Sequence, residues 1–230
     1  MKEIRYLILL IITIGFINCT STYEKGKEYI EEKEWELAKE TLALVSINEK
    51  DYNKAQELIS IAEDEITFKN GNKSYEIGNF IDALKQFNSI NDKDRFKSTT
   101  KSTGINYFIS KSESGAKLQE NICGTYFYHD YISPYKEVSV QSWIYDNMTF
   151  ETYERYLNHL TGEYDEVTCC GTYTMRRTGV GAKLKVTGKY SGDNGVLETT
   201  FAFYKDDKNE WVLKSDSGKG FKNIIANKTD

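Results

Sequence analysis

Clusters of carboxylates are the first residues in this chain that could perform chemistry. Glu163, Asp165 and Glu166 form one cluster, and Glu151 with Glu154 forms another. Pairs of carboxylates act as acid and base in glycoside hydrolases. In a chain with 35 acidic residues, however, such clusters are typical of solvated loops. We therefore predict that neither cluster is catalytic.

Other candidates for catalysis or anion binding are sparse. The sequence contains no phosphate-binding glycine loop, no Gly-x-Ser-x-Gly motif and no His-Glu-x-x-His motif. Arg176 and Arg177 could bind an anion, but neighbouring residues on a strand face opposite sides, which argues against joint action. His129 and His159 form no recognised pattern of metal ligands. The sequence thus predicts a protein that is not an enzyme and that has no cofactor or metal.

The N-terminus combines a basic head, an apolar run and a cysteine. Lys2 and Arg5 precede the mostly apolar residues 6–17, and Cys19 follows closely. Such a run is too short to cross a bilayer as a helix, but it suits the core of an export signal. The arrangement resembles a bacterial lipoprotein signal peptide, although the bulky residues 16–18 depart from the small residues that this family prefers there.

This resemblance implies where the protein is located. Residues 1–18 would be removed as a signal peptide, and Cys19 would carry the lipid, such as palmitate, that anchors the protein to a membrane of the cell envelope. The residue after Cys19 is not aspartate, which favours the outer membrane of a bacterium. An uncleaved N-terminal anchor and an ordinary secreted protein are the alternatives.

Three further cysteines, Cys123, Cys169 and Cys170, remain if Cys19 is lipidated. An odd number in an oxidising compartment allows at most one internal disulfide and leaves one free thiol. Because Cys169 and Cys170 are adjacent, only one of them could reach Cys123 from a strand. We expect a disulfide from Cys123 to Cys169 or Cys170, or buried free thiols, rather than a metal site.

Residues 19–112 are predicted to form a helical domain with an internal repeat. Gly26 aligns with Gly71, and the apolar residues that follow match at the spacing i, i+3, i+7 and i+10, on one helical face. The matched pairs are Trp35 with Phe80, Ala38 with Ala83, Leu42 with Phe87, and Val45 with Ile90. A third helix is predicted near 51–65, continuing into the second repeat. The pattern resembles tetratricopeptide repeats, although the repeat length exceeds the roughly 34 residues of that family.

The periodicity changes from helical to alternating near residues 113–117, which we predict to be a linker. Residues 118–226 would then form an antiparallel β-domain with strands near 122–131, 137–145, 148–157, 167–176, 182–190, 196–205, 210–215 and 220–225. Gly-x-Tyr recurs at strand starts, as at residues 124–126 and 171–173. This half resembles the lipocalin-like domains of bacterial lipoproteins. The sequence therefore predicts an α+β chain with two domains, in which a β-meander forms a barrel or a sandwich.

The net charge and the resemblances to known families together limit the classes of function that we expect. The net charge of −5 disfavours nucleic acid as a partner, because phosphate backbones require a basic surface. We expect a membrane-anchored lipoprotein that binds a protein partner at its helical repeats, since short repeats present concave surfaces. One alternative is a carrier that holds a small apolar ligand in the β-domain. The other is an enzyme without a recognisable motif.

Overall fold

The computed structural model describes residues 21–97, 104–179, 181–192, 195–217 and 225–229. The chain divides into two compact units, Met1–Phe68 and Lys69–Asp230. Helices precede strands along the chain, so the predicted α+β order is confirmed. The predicted signal peptide, residues 1–18, and Cys19 lie outside the described residues. None of the helices that are described is both long and apolar enough to cross a membrane.

Five α-helices and one 3-10 helix form the helical part that is described. They are α1 (Thr22–Glu31), α2 (Trp35–Leu42), α3 (Tyr52–Ile77), α4 (Phe80–Ser89) and α5 (Ile105–Ile122), with the 3-10 helix at Lys93–Phe96. Helix α3 begins in the predicted third helix and continues into the second repeat, as expected. Its first residues belong to the first compact unit and its last residues to the second.

Helices α1 and α2 form a closely packed pair in the first unit. Ser21 caps α1, because its side chain accepts a hydrogen bond from the Glu24 backbone N–H at 3.2 Å. A Cβ atom at Gly26 would lie 2.5 Å from Leu42 Cγ, so a larger residue would force the two helices apart. Ala38 and Leu42 are fully buried in the core of this unit.

The end of α3 and helix α4 repeat this arrangement in the second unit. A Cβ atom at Gly71 would lie 2.7 Å from the ring of Phe87. Ala83 and Phe87 are fully buried, like Ala38 and Leu42 at the matching positions. The correspondence predicted from the sequence therefore extends to the packing of both helix pairs.

The turns within the two helix pairs share one backbone conformation. Gly78 lies between α3 and α4 with a φ of 82°. Asn79 then caps α4, since its side chain accepts a hydrogen bond from the Asp82 backbone N–H at 3.3 Å. Lys33 occupies the matching turn between α1 and α2 and has a φ of 62°. This left-handed conformation costs a residue with a Cβ atom about 1 kcal/mol or more, which glycine avoids at Gly78.

We expect Gly78→Ala to destabilise the protein more than Gly162→Ala does. Both glycines have a positive φ, 82° and 71°, so both substitutions carry the same conformational strain. A Cβ atom at Gly78 would also lie 1.9 Å from the backbone oxygen of Met175, whereas one at Gly162 would meet no atom within 4 Å. Overpacking of this kind typically adds about 1–3 kcal/mol. Urea unfolding of both variants measures the difference, and equal losses of stability would contradict the close contact.

In the described part of the second unit, eight antiparallel strands form a barrel. Each strand pairs with the next, and the short last strand pairs with both the seventh and the first, which closes the sheet. The strands are β1 (Gly124–Ser133), β2 (Lys136–Ile144), β3 (Thr149–Asn158), β4 (Tyr164–Thr178), β5 (Gly181–Tyr190), β6 (Val196–Lys205), β7 (Trp211–Ser217) and β8 (Ile225–Thr229).

The predicted meander is confirmed, and its sheet is a barrel rather than a sandwich. The first seven strands overlap the segments that the sequence predicts. The eighth is predicted near 220–225, but strand β8 begins at Ile225, and residues 218–224 lie outside the described part of the chain. Sequential pairing follows from the short turns between strands, which bring each strand beside its predecessor.

Helix α5 runs through the predicted linker, residues 113–117, without a break. Gly115 and Ala116 are buried within it, and a Cβ atom at Gly115 would lie 2.3 Å from Phe80 Cγ. The small residues that suggest a linker in the sequence instead admit the aromatic ring of α4. The β-barrel begins at Gly124, and the boundary between the compact units falls earlier, after Phe68.

Helices α4 and α5 close one end of the barrel. Phe80, Ala116 and Ile122 share a single core with Ile144 and Phe203 of the barrel interior. Ile144 pairs with Gly124, the first residue of β1, so this core lies where the chain passes from helix to strand. The helical residues of the second unit therefore belong to the core of the barrel.

A buried glutamine joins three segments at this closed end. The side chain of Gln119 on α5 is fully buried. Its Oε1 accepts a hydrogen bond from the Ile81 backbone N–H at 3.0 Å, and its Nε2 donates to the backbone oxygen of Asp146 at 2.8 Å. The Nε2 atom also donates to Asn79 Oδ1 at 3.2 Å. Gln119 thus ties α4 and the β2–β3 turn to α5.

Candidate functional site

The barrel interior is lined by alternate residues of its strands. In β5, Ala182, Leu184 and Val186 are buried, whereas Lys183 and Lys185 are exposed. This alternation is the one that the sequence predicts for a strand with one wet face. It gives the barrel a mainly apolar interior and a polar outer surface.

A cavity of about 50 Å³ remains in this interior. Its walls include the apolar side chains of Val140, Phe150 and Leu184. Because a water molecule needs roughly 10–15 Å³, the cavity has room for a group of a few non-hydrogen atoms. Helices close the end of the barrel near Gly124, while Leu160 in the β3–β4 turn, at the opposite end, is exposed.

Polar groups on the cavity wall include Ser142, Thr152 and Glu154 on two neighbouring strands. Ser142 and Thr152 are joined by a hydrogen bond of 3.1 Å between their hydroxyl oxygens. Glu154, on the same strand as Thr152, is only 3% exposed and also lines the cavity. The hydroxyl of Tyr156 donates to Glu154 Oε2 at 2.5 Å, and that of Tyr190 donates to Oε1 at 3.2 Å. The cavity therefore holds a buried carboxylate with both oxygens fixed by tyrosines.

The surroundings of Glu154 shift the acidity of its neighbours. Burial, together with the hydrogen bond to Glu154, raises the pKa of Tyr156 well above its ordinary value. Burial and the charge of Glu154 do the same to the pKa of Tyr190. Both tyrosines consequently stay protonated at neutral pH and remain hydrogen-bond donors to the carboxylate.

Glu154 and Glu151 are predicted from the sequence to be a solvated pair, and this prediction is wrong for Glu154. Glu151 is exposed, and the hydroxyl of Tyr145 approaches its Oε2 at 3.4 Å. Glu154 lies three residues further along β3, so it faces the other side of the strand. The alternation of β3 from Phe150 through Thr152 to Glu154 is the sequence signal that places its carboxylate inside.

Similarity to known proteins does not assign this site. No protein-family model, no curated protein and no solved structure matches the chain. The function is therefore inferred from the geometry of the barrel interior and from features of the sequence.

The expected disulfide from Cys123 to Cys169 or Cys170 is not formed between the described residues. Strands β2 and β3 lie between Cys123, at the start of β1, and β4. The side chain of Cys123 lies within hydrogen-bonding reach of Tyr173 on β4. Tyr173 is four residues from Cys169, about 13 Å along the strand, whereas a disulfide requires Cα atoms within about 7 Å. Cys169 is buried and Cys170 exposed. Burial, with the nearby Glu154, raises the pKa of the Cys169 thiol to about 11.

The two histidines lie together on the outside of the barrel, although the sequence places them 30 residues apart. The Nε2 atoms of His129 and His159 lie 2.8 Å and 3.1 Å from the two carboxylate oxygens of Glu137. The hydrogen bond from His129 holds the pKa of Glu137 below its ordinary value. In the part of the chain that is described, no group of three or more His, Cys, Asp or Glu side chains could hold a metal ion.

The remaining sequence candidates lie on the surface. Glu163, Asp165 and Glu166 are exposed, as predicted, but Asp165 and Glu166 lie on β4 and not in a loop. Arg176 is exposed and Arg177 is partly buried on β4, in keeping with the expectation that neighbouring strand residues face opposite sides, although both border one groove of about 500 Å³. Strand β4 extends beyond its pairing with β3 here.

Proposed function

We propose that the barrel is a non-catalytic carrier of a small ligand. The observation that carries this proposal is the cavity in the barrel interior, which has mainly apolar walls and a few polar groups, among them Ser142, Thr152 and Glu154. Binding sites for small molecules are typically concave and apolar, with a few polar groups that orient the ligand. The resemblance of the β-half to lipocalin-like domains points in the same direction.

The size of the cavity limits the ligand. At about 50 Å³, it fits a short alkyl chain better than a long lipid. A larger ligand requires movement of Tyr128, Leu197 or Phe201, which line the cavity and are only partly buried. The ligand is therefore a small molecule, or the barrel widens when it binds.

Titration of the full-length protein with n-butanol, followed by NMR, tests the carrier proposal. We expect saturable shifts of backbone signals from the residues that line the cavity. Val186→Phe fills the cavity and should weaken this binding, whereas Thr187→Phe should not, because Val186 faces inwards and Thr187 faces outwards on the same strand. Absence of saturable shifts in the wild-type protein would overturn the proposal.

A protein-binding adaptor is the second candidate, and exposed apolar side chains of the first unit favour it. Leu44 and Ile47, which follow α2, are 75% and 73% exposed. We propose that they contact a protein partner, in keeping with the tetratricopeptide-like character of the repeats. Native mass spectrometry of gently purified protein tests this proposal: a bound protein should be present with the wild type and lost with the double substitution of Leu44 and Ile47 by serine.

Both candidates are compatible with the proposed lipid anchor at Cys19. The support is the basic head, the apolar run and the cysteine at residues 1–19. In a bacterial host grown with labelled palmitate, Cys19→Ser should abolish incorporation of the label and release the protein from the membrane. Incorporation that is unchanged in this variant would remove the anchor from the proposal.

A further inference from the structure

Glu154 is a buried carboxylate without a cationic partner in the described structure. It is 3% exposed, and its two hydrogen-bond partners, Tyr156 and Tyr190, are both neutral groups. Burial of an ionised carboxylate is costly unless it is paired and hydrogen-bonded. In this protein the buried carboxylate is Glu154, whose side chain faces a cavity.

The hydrogen bonds around Glu154 suit its ionised form. Each of the two oxygens accepts from a tyrosine hydroxyl, and a carboxylate has about four acceptor positions. Two tyrosine donors therefore leave acceptor capacity for a further donor. A ligand in the cavity could donate to the remaining acceptor positions of the carboxylate, because Glu154 is one of the residues of the cavity wall.

The cationic side chains that the structure describes near Glu154 do not pair with it. Arg155 is the next residue on β3 but faces outwards, where its guanidinium lies 4.4 Å from the centre of the Tyr164 ring and 3.9 Å from Glu166. Thr152 and Ser142, two further polar groups of the wall, hydrogen-bond to each other. Among the side chains that the structure describes, no lysine, arginine or histidine forms an ion pair with Glu154.

We propose that the carried ligand is a small primary amine, whose protonated nitrogen pairs with Glu154 and whose short hydrocarbon body occupies the apolar part of the cavity. This inference rests on the carrier function proposed above and adds the chemical class of the ligand. An ammonium group supplies both the missing charge and the missing hydrogen-bond donors. An alcohol supplies one donor without charge, and a carboxylate repels Glu154.

Binding of n-butylamine, n-butanol and butyrate to the full-length protein tests this assignment. These probes share a short hydrocarbon chain and differ in the polar end group. At neutral pH we expect butylamine to bind roughly tenfold or more tightly than butanol, as charge-assisted hydrogen bonds typically allow. Butyrate should show no saturable binding. Isothermal titration calorimetry gives the affinities, and NMR shifts identify the residues involved.

Two substitutions locate the source of the preference for the amine. Glu154→Gln keeps the shape of the side chain and removes its charge, so butylamine should lose its advantage over butanol. Glu151→Gln is the matched control, because it makes the same chemical change at an exposed position of the same strand. The control should bind all three probes as the wild type does.

The outcomes test the amine preference and the carrier function separately. Equal binding of butylamine and butanol to the wild type would overturn the amine assignment while leaving the carrier function in place. Persistence of the amine preference in a folded Glu154→Gln variant would also overturn it. If neither butylamine nor butanol binds, the carrier function itself fails. The wild-type comparison decides the assignment even if Glu154→Gln does not fold.

Discussion

Replacing Phe80 by alanine should lower the free energy of unfolding by about 3–5 kcal/mol, as is typical for a buried phenylalanine. Phe80 is 6% exposed and belongs to the core shared by the helices and the barrel interior. Its ring packs edge-to-face against Tyr75 at a centroid distance of 5.4 Å and lies directly over Gly115. Alanine leaves a void at the point where α4, α5 and the barrel meet. Urea unfolding monitored by circular dichroism measures the loss.

Phe127→Ala is the matched control for this substitution. Phe127 lies on β1 of the same barrel but is 46% exposed on its outer surface. Its loss should cost less than about 1 kcal/mol, because little apolar area returns to water. If Phe80→Ala is no more destabilising than Phe127→Ala, then helix α4 does not contribute to the core of the barrel.

A fragment of residues 118–230 should fail to form a stable barrel, in contrast to what the predicted linker at 113–117 suggests. This fragment lacks Phe80 and Ala116, which are buried against the interior of the barrel. It also begins just before Gln119, whose partners Ile81 and Asn79 it lacks. Removal of these groups exposes apolar surface and leaves a buried amide with unpaired atoms. We expect an insoluble fragment or one without a cooperative thermal transition.

The fragment of residues 69–230 is the appropriate comparison. It retains the end of α3, all of α4 and α5, and the barrel, which together form the second compact unit. It should be soluble and unfold cooperatively in a thermal melt followed by circular dichroism. A fragment of residues 118–230 that melts at the same temperature as 69–230 would show that the helices are dispensable for the barrel.

The internal repeat shows which buried positions the local sequence pattern can predict. Matching apolar residues at helical spacing predict the buried positions of α2 and α4, and Ala38, Leu42, Ala83 and Phe87 are all fully buried. These positions follow from the 3.6-residue period of a helix, which the sequence displays directly. Trp35 is the exception, because it is only partly buried whereas its counterpart Phe80 is buried. Periodicity predicts which face of a helix is buried, but it does not predict how completely each side chain on that face is buried.

The linker shows where local pattern misleads. Residues 113–117 have no large apolar side chain, which in isolation is typical of a loop. In α5 the same stretch is helical, because Gly115 and Ala116 lie against α4 and the ring of Phe80 fills the space that they leave. A glycine or alanine in a tight contact between helices cannot be distinguished, from the sequence alone, from one in a loop. Only the neighbouring helix distinguishes them.

The sequence by itself determined the order of helices and strands, the internal repeat, and the alternation of inward and outward residues along β5. These features depend on local periodicity and on short turns. The tertiary structure alone decided that the sheet closes, that α4 and α5 seal one end of it, and that Glu154 lies inside, beside Tyr190 from a strand two places away in the sheet. These features depend on contacts between residues far apart in the chain, and closure of the barrel is what turns the inner faces of its strands into a cavity.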